Sequence, residues 1–348
     1  MSGAKILTIA CVVTGLSAIG SAADDAAIPV ERARSASVVT FYLENDYFGG
    51  TDRHYTNGAK LSWLSRDLVS WGQHGWRQAL VEALPFVNRP DAQKNFGVAL
   101  GQNIYTPARD ELAVPDPTDR PYAGWSYLEF SFIGKTARVM DALTFQVGMV
   151  GPHSYAEQTQ KLVHRWLRND QPQGWAYQLK DEVGVNVILE RRWRAYARVA
   201  SGALGFDLVP HAGLSLGNVQ SFANVGATAR LGFNLPSDFG IELIAGGAAT
   251  NSPLDDRDPR LGAESRTSLF VFGGVDGRAV ARDIFLDGNT WEDSPSVDKE
   301  TWVGDSYWGV GIVRGGWQFT YTYVVRSKEF EAQREVNQFG SITISRAF

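Results

Sequence analysis

The last two β-like segments of this chain alternate apolar and polar residues almost without a break, and the chain ends on an aromatic residue. Trp317, Phe319, Tyr321, Tyr323 and Val325 share one parity; Gln318, Thr320 and Thr322 share the other. After a short polar stretch, Ile342, Ile344 and the terminal Phe348 repeat the pattern. Successive side chains of a strand point to opposite faces, so this period of two makes one face apolar and the other polar. Sustained over about ten residues, with aromatics on the apolar side, it suits a strand that meets lipid on one face and a polar interior on the other.

The same alternation recurs along the chain. Val38 to Leu43 is a first segment, and Ala59, Leu61 and Trp63 mark a second. Phe96, Val98 and Leu100 give a third, Leu128, Phe130 and Phe132 a fourth, and Leu143, Phe145, Val147 and Met149 a fifth. Val183, Val185, Val187 and Leu189 form a sixth. Segments near 207–216, 222–234, 268–285, 302–313, 317–326 and 339–348 complete twelve. The expected fold is all-β: a twelve-stranded antiparallel transmembrane β-barrel with a short extracellular-loop helix. An even strand number puts both ends of the chain on the periplasmic side. A soluble β-sandwich is the competing architecture, but these segments run long for one, and their outward parity carries Trp, Tyr and Phe rather than charge. Residues 235–267, rich in Gly, Pro and charge, form a long connection whose place the pattern does not set.

The N-terminus fixes the route to the membrane. Lys5 precedes an apolar run from Ile6 to Ile19, then Gly20, Ser21, Ala22 and Ala23. This reads as a secretory signal peptide over 1–23, with 24–348 as the mature barrel. The run is shorter than the ~20 residues a spanning helix needs. The only cysteine, Cys11, lies inside that run. Disulfides, thiol catalysis and cysteine-based zinc sites are therefore excluded from the mature chain. A net charge of -5 without a basic stripe argues against nucleic acid as a partner. The expected partners are outer-membrane lipid and, during biogenesis, the outer-membrane assembly machinery, since Phe348 resembles the aromatic signal that machinery reads. The protein is expected to act as a monomer.

Strand parity places the connections 45–57, 103–122, 151–182, 286–301 and 327–338 outside the cell, and 67–94 in the periplasm. The first three outer loops hold the unusual polar chemistry. The third departs from the β pattern: Ser154 with Glu157 three residues later spells a capping box, which predicts a helix. On it Gln160 and His164 lie four apart and share a face, while Leu162 and Trp166 fall elsewhere and are expected to pack the helix down. Of the five histidines, His74 falls in the periplasmic connection, His211 in a strand, His153 just before the helix and His54 in a loop. His164 alone sits on a regular element facing the outer loops, and imidazole suits a general base near neutral pH. Asn45, Asp46, Thr56 and Gln160 are oxygen donors that suit a hard cation such as Ca²⁺, which could polarise an ester carbonyl while His164 activates water. A serine nucleophile at Ser154 is the competing scheme, although a helix cap already engages its hydroxyl.

At these residues the chain resembles the lipid A 3'-O-deacylase family, the LpxR-type outer-membrane enzymes. The resemblance runs through Glu44-Asn45-Asp46, Thr51 to Gly58, Ile104-Tyr105-Thr106-Pro107, Asp119 to Gly124, Gly151-Pro152, Gln160 and His164. It continues through Gly174-Trp175, Gln178-Leu179, Ile284 to Thr290, Glu329-Phe330 and Phe339-Gly340. It implies a site between the barrel wall and a loop helix, and calcium-assisted hydrolysis of the 3' ester of lipid A in lipopolysaccharide. His164 matches the catalytic histidine, Asn45 and Asp46 the loop-one pair, Thr56 the loop-one threonine and Gln160 the helix glutamine. Asp170 stands where a carboxylate follows the histidine, as a metal ligand or orienting group. One branch of the family carries a lysine in the second outer loop. Residues 102–122 here contain none, only Arg109 and Arg120. The alternatives are a porin-like or adhesive barrel without activity and a phospholipase acting on glycerolipids.

Overall fold

The computed structural model describes residues 35–46, 54–68, 87–198, 204–244, 252–261 and 266–348. The expected signal peptide, His74 and most of the first outer loop lie outside the described residues, as do the side chains of residues 54–56 and 196–198. Twelve strands run β1 (Val38–Asn45), β2 (His54–Leu64), β3 (Gln93–Thr106), β4 (Ala123–Lys135), β5 (Val139–Val150), β6 (Glu182–Trp193, resuming after Arg194 as Ala195–Arg198), β7 (Leu204–Gly217), β8 (Gln220–Phe233), β9 (Ser268–Asp283), β10 (Trp302–Arg314), β11 (Trp317–Arg326) and β12 (Asn337–Ala347). The two pieces of β6 both pair with β7, so they are one strand interrupted at Arg194. Each strand is antiparallel to its neighbours in sequence, and β12 pairs with β1 to close the sheet. Closure removes every sheet edge, the condition under which a β-structure can sit in lipid with its backbone satisfied.

The alternation read from the sequence sorts the two faces. Leu61, Leu100 and Leu128 point outward and are at least half exposed, whereas Lys60 and Glu129, one residue away, point into the lumen and are almost fully buried. On β11 the outward Trp317, Phe319 and Tyr321 are exposed and the inward Gln318, Thr320 and Thr322 are buried. No helix among the described residues is long and apolar enough to cross a membrane.

The long connection between β8 and β9 turns inward. Its described residues, 235–244 and 252–261, run through the lumen and bond to inward side chains around the wall. Glu242 accepts from Tyr42 at 2.7 Å and from Lys60 at 2.8 Å. The Ile244 amide donates to Glu44 at 2.7 Å, and Arg192 donates to the carbonyls of Phe239 and Ile241. Lys135 donates to Pro253 O at 2.8 Å, and Arg260 to Gln318 at 3.0 Å. Arg230 on β8 bridges Asp207 and Asp238, and Arg260 bridges Asp238 and Asp258, all of them buried. Gly and Pro let this segment turn, and its charges are the partners of the charges that the barrel points inward. Above the plug, the short helix α2 (Ile284–Asp287) buries Ile284, Phe285 and Leu286, and Phe285 stacks on Tyr105 at 4.1 Å. Among the described residues the lumen is thus largely filled and capped, with a cavity left between Glu190, His211, Asp276 and Tyr307.

Candidate active site on the outer face of the wall

Strand register defines one lateral row at the upper end of the barrel, where β1 finishes. Asn45 pairs with Asn57, Asn57 with Ile104, and Ile104 with Gly124. The row continues the parity of Phe41, Leu61, Leu100 and Leu128, so it faces away from the lumen. The helix α1 (Ala156–Leu167) sits against this outer surface. Ile104, Tyr122, Ala156 and Trp175 form one buried apolar cluster beneath it, and the Tyr122 and Trp175 rings lie 5.0 Å apart. Gln102 and Ser126, outward residues one step lower, both donate to Ser154 O at 2.7 Å. A Cβ at Gly124 would collide with Ser154 and Ala156, so only glycine lets the helix approach this closely.

The helix exists, but two details of its expected build are corrected. Its N-cap is Tyr155, with φ 58° and no side-chain cap, not Ser154. Ser154 belongs to a preceding 3₁₀ turn (Pro152–Ser154), where its hydroxyl donates to Gly151 O at 2.6 Å. Glu157 pairs with Lys161 instead of closing a capping box. The sterically tight Gly124 seat pulls Ser154 into the wall contact before the helix begins, which overrides the local capping signal. Nor do Leu162 and Trp166 pack the helix down: they are 56% and 88% exposed. The seat is made instead by the stripe Ala156, Gln160 and His164, each one turn from the last and all buried.

His164 Nδ1 lies 2.6 Å from the carbonyl oxygen of Asp170. A carbonyl can only accept, so Nδ1 carries a proton, and in the neutral ring Nε2 then holds the lone pair. The geometry follows from the helix terminus. Arg168 takes a left-handed conformation, φ 60°, and turns the chain back over the last turn. That conformation costs a non-glycine residue ~1–2 kcal/mol. Asp170 thus orients the histidine through its backbone, while its side chain is exposed.

Gln160 is 3% exposed, and its Oε1 accepts from the Trp175 indole N–H at 2.7 Å. An indole is only a donor, which fixes the amide's orientation. Its Nε2 is buried without a hydrogen-bond partner. Gln160 therefore presents an N–H, not an oxygen, and does not fit as a cation ligand. Asp170 does not fit through its exposed carboxylate either. Asp46, buried just beyond β1, and Asn45 keep the oxygen chemistry a hard cation takes. No group of three or more His, Cys, Asp or Glu gathers as a metal cage among the described residues. Thr56 falls where the β2–β3 register shifts between Tyr55 and Asn57, and its side chain is outside the described ones.

The other two histidines among the described side chains stand apart. His153 pairs with Asp181 at the surface, and His211 with Asp276 inside the lumen. The two arginines of the second outer loop also lie elsewhere. Arg109 pairs with Glu111 in solvent. Arg120 is buried over the Tyr105 ring, 3.2 Å from Glu329, on the lumen side of the wall. Burial pushes the Glu329 carboxyl up, but Arg120 and Arg326 hold it below the usual carboxylate range. Trp175, Tyr122 and Gly124, which seat the helix and fix Gln160, carry no reactive group. The sequence marks them only as part of the motifs around Asp119 to Gly124 and Gly174-Trp175.

Comparison with known proteins agrees with this fold. A family model described as outer membrane protein LpxR matches residues 7–348. Among solved structures, LpxR from Salmonella typhimurium aligns with a TM-score of 0.70 and 18% identity, over 89% of this chain and all of that one. The translocator domain of the autotransporter NalP from Neisseria meningitidis reaches only 0.39 at 8% identity, over 98% of each chain. No curated protein matches the chain. With its closed barrel and a family match over nearly its whole length, the chain belongs to the LpxR family of Gram-negative outer-membrane proteins.

Proposed function

We propose that this protein is an esterase that removes the 3'-O-linked acyloxyacyl chain from lipid A of lipopolysaccharide. The observation that carries the reading is the His164 Nδ1–Asp170 carbonyl bond, which leaves a basic Nε2 on the lipid-facing side of the wall. His164 Nε2 takes a proton from water as the water oxygen adds to the ester carbonyl carbon. The carbonyl oxygen becomes an oxyanion and accepts from Gln160 Nε2–H, the buried donor without a partner. Collapse breaks the bond to the sugar oxygen, which takes the proton back from His164. A fatty acid and a free 3' hydroxyl leave. Ser154 is excluded as the nucleophile, because its hydroxyl is engaged in the turn that seats the helix.

Calcium belongs to the proposal through Asp46 and Asn45, with Thr56 beside them; when bound, it would polarise the ester carbonyl. The substrate follows from location, since a site on the outer surface of the wall opens to the leaflet. The largely filled lumen argues against a diffusion pore. Export through a cleaved signal peptide at 1–23, insertion by the outer-membrane assembly machinery and action as a monomer complete the reading.

The test is lipid A mass spectrometry from a Gram-negative host expressing wild type or His164→Ala, with and without a chelator. Wild type should lose the 3' acyloxyacyl mass and the variant should not, while both fold as heat-modifiable barrels. Identical lipid A spectra would overturn the reading. Release of fatty acid from phospholipid vesicles, with lipid A untouched, would replace it with a phospholipase.

A further inference from the structure

The helix over the site has a second face that the proposed reaction does not use. Leu162 and Trp166 lie one turn apart on α1 and are 56% and 88% exposed, and Leu167 at its end is 58% exposed. Arg165 and Arg168 flank Trp166, both exposed and without a counter-ion among the described residues. A soluble surface has no use for a bare tryptophan beside leucines.

The barrel wall supplies the context. A spanning barrel carries aromatic girdles at both lipid interfaces. On the far wall the upper girdle is present as outward Trp302, Trp308 and Tyr323. Along the row of β1 to β4 that the helix reaches, the described outward residues Asn45, Asn57, Ile104 and Gly124 include no aromatic and leave a gap in it. The lower girdle of this same wall is intact, with Trp63, Phe96 and Phe130. The helix is seated over the gap. Its seat at Ile104 and Gly124 is four strand residues above Leu100 and Leu128, the top of the exposed lipid-facing band, or roughly 13 Å along the strand.

We propose that α1 is an interfacial anchor, whose Leu162, Trp166 and Leu167 insert among the acyl chains of the outer leaflet while Arg165 and Arg168 meet lipid phosphates. The occupant is the bulk leaflet, because the face continues the lipid-facing band and completes its girdle. Tryptophan and leucine at the acyl boundary with arginines at headgroup level are what an amphipathic helix needs to lie in that plane. Anchoring would hold the Gln160–His164 stripe at the depth of lipid ester groups. The inference rests on the membrane position of the barrel and not on the proposed hydrolysis, so it can fail alone.

The test uses the full mature barrel, which carries no cysteine once the segment holding Cys11 is removed. Leu162→Cys and Trp166→Cys, each labelled with an environment-sensitive fluorophore, are compared with Lys161→Cys on the polar side of the same helix, where Lys161 pairs with Glu157. Reconstitution is in phosphatidylethanolamine–phosphatidylglycerol vesicles with or without chain-brominated lipid. Labels at 162 and 166 should emit to the blue, lose intensity to brominated chains and resist aqueous iodide; the label at 161 should do the reverse. Arg165→Gln with Arg168→Gln should reduce the bromine quenching at 162. Equal iodide quenching at all three positions would overturn the proposal. So would bromine quenching that appears only after lipopolysaccharide is added, which would make the face a substrate subsite. Protection that scales with protein density and not with lipid would make it a contact between copies.

Discussion

Arg230 and His164 are both buried side chains of one barrel, yet they are buried in opposite ways. Arg230 points into the lumen, where two carboxylates meet it and two further ion-paired residues, Arg260 and Asp258, extend the network. His164 lies against the outside of the wall, held by one backbone carbonyl at Nδ1 and beside a glutamine whose N–H has no partner. The lumen answers each charge with a charge, as a protein interior must if ionised groups are to stay there. The outer seat keeps polar atoms uncommitted in a dry setting, which is costly for stability and useful for chemistry. The inner network is therefore a structural device, and the outer cluster is where a ligand is expected.

This contrast can be broken or sharpened by substitution. His164→Ala should lower deacylation by ~10²–10⁴-fold, the usual weight of a general base, with the thermal unfolding of the barrel unchanged. Loss of the folded barrel instead would make His164 a structural residue. Arg230→Ala should do the opposite. Removing one partner of a buried network costs ~3–5 kcal/mol, so the barrel should unfold at lower temperature or denaturant, while kcat at a permissive temperature stays near wild type. A matching loss of kcat would mean that plug and site are coupled. Gln160→Leu keeps the buried volume and deletes the donor, and should lower kcat by ~10²–10³-fold with little change in KM. A change in KM alone would mean that the amide binds substrate and not the transition state.

The smallest expected effect lies at the cap. Because the folded Glu329 carboxyl titrates below its unfolded value, its contribution is present above the unfolded value of ~4.3 and is lost as pH falls through the folded one. Wild type should therefore lose stability more steeply than Glu329→Gln on acidification below about pH 4. Parallel unfolding curves would show that the Arg120 pair adds nothing.

Strands were legible because a lipid-facing wall imposes a period of two on every segment, and all twelve show it. The pairing of Gln160 with His164 was legible for a similar reason, since spacing by four on a helix forces a shared face. The plug, described over 235–244 and 252–261, was not, because its alternation is broken and its partners Lys60 and Arg192 are far away in sequence. The helix cap was misread because a local Ser-x-x-Glu pattern competes with the Gly124 contact, which only the folded wall creates. Leu162 and Trp166 were misassigned because apolar residues on a helix normally face protein, and here the second apolar medium is lipid.

By itself the sequence determined the barrel, its strand number, its lipid face and the shared helix face of Gln160 and His164, since each follows from a local period. Only the tertiary structure decided that the helix sits outside the wall and that Asp170 serves through its carbonyl. It also decided that Gln160 offers a hydrogen and that the lumen is largely filled. Those outcomes depend on which distant groups meet, and a donor's partner is set by register and packing rather than by its own neighbours in the chain.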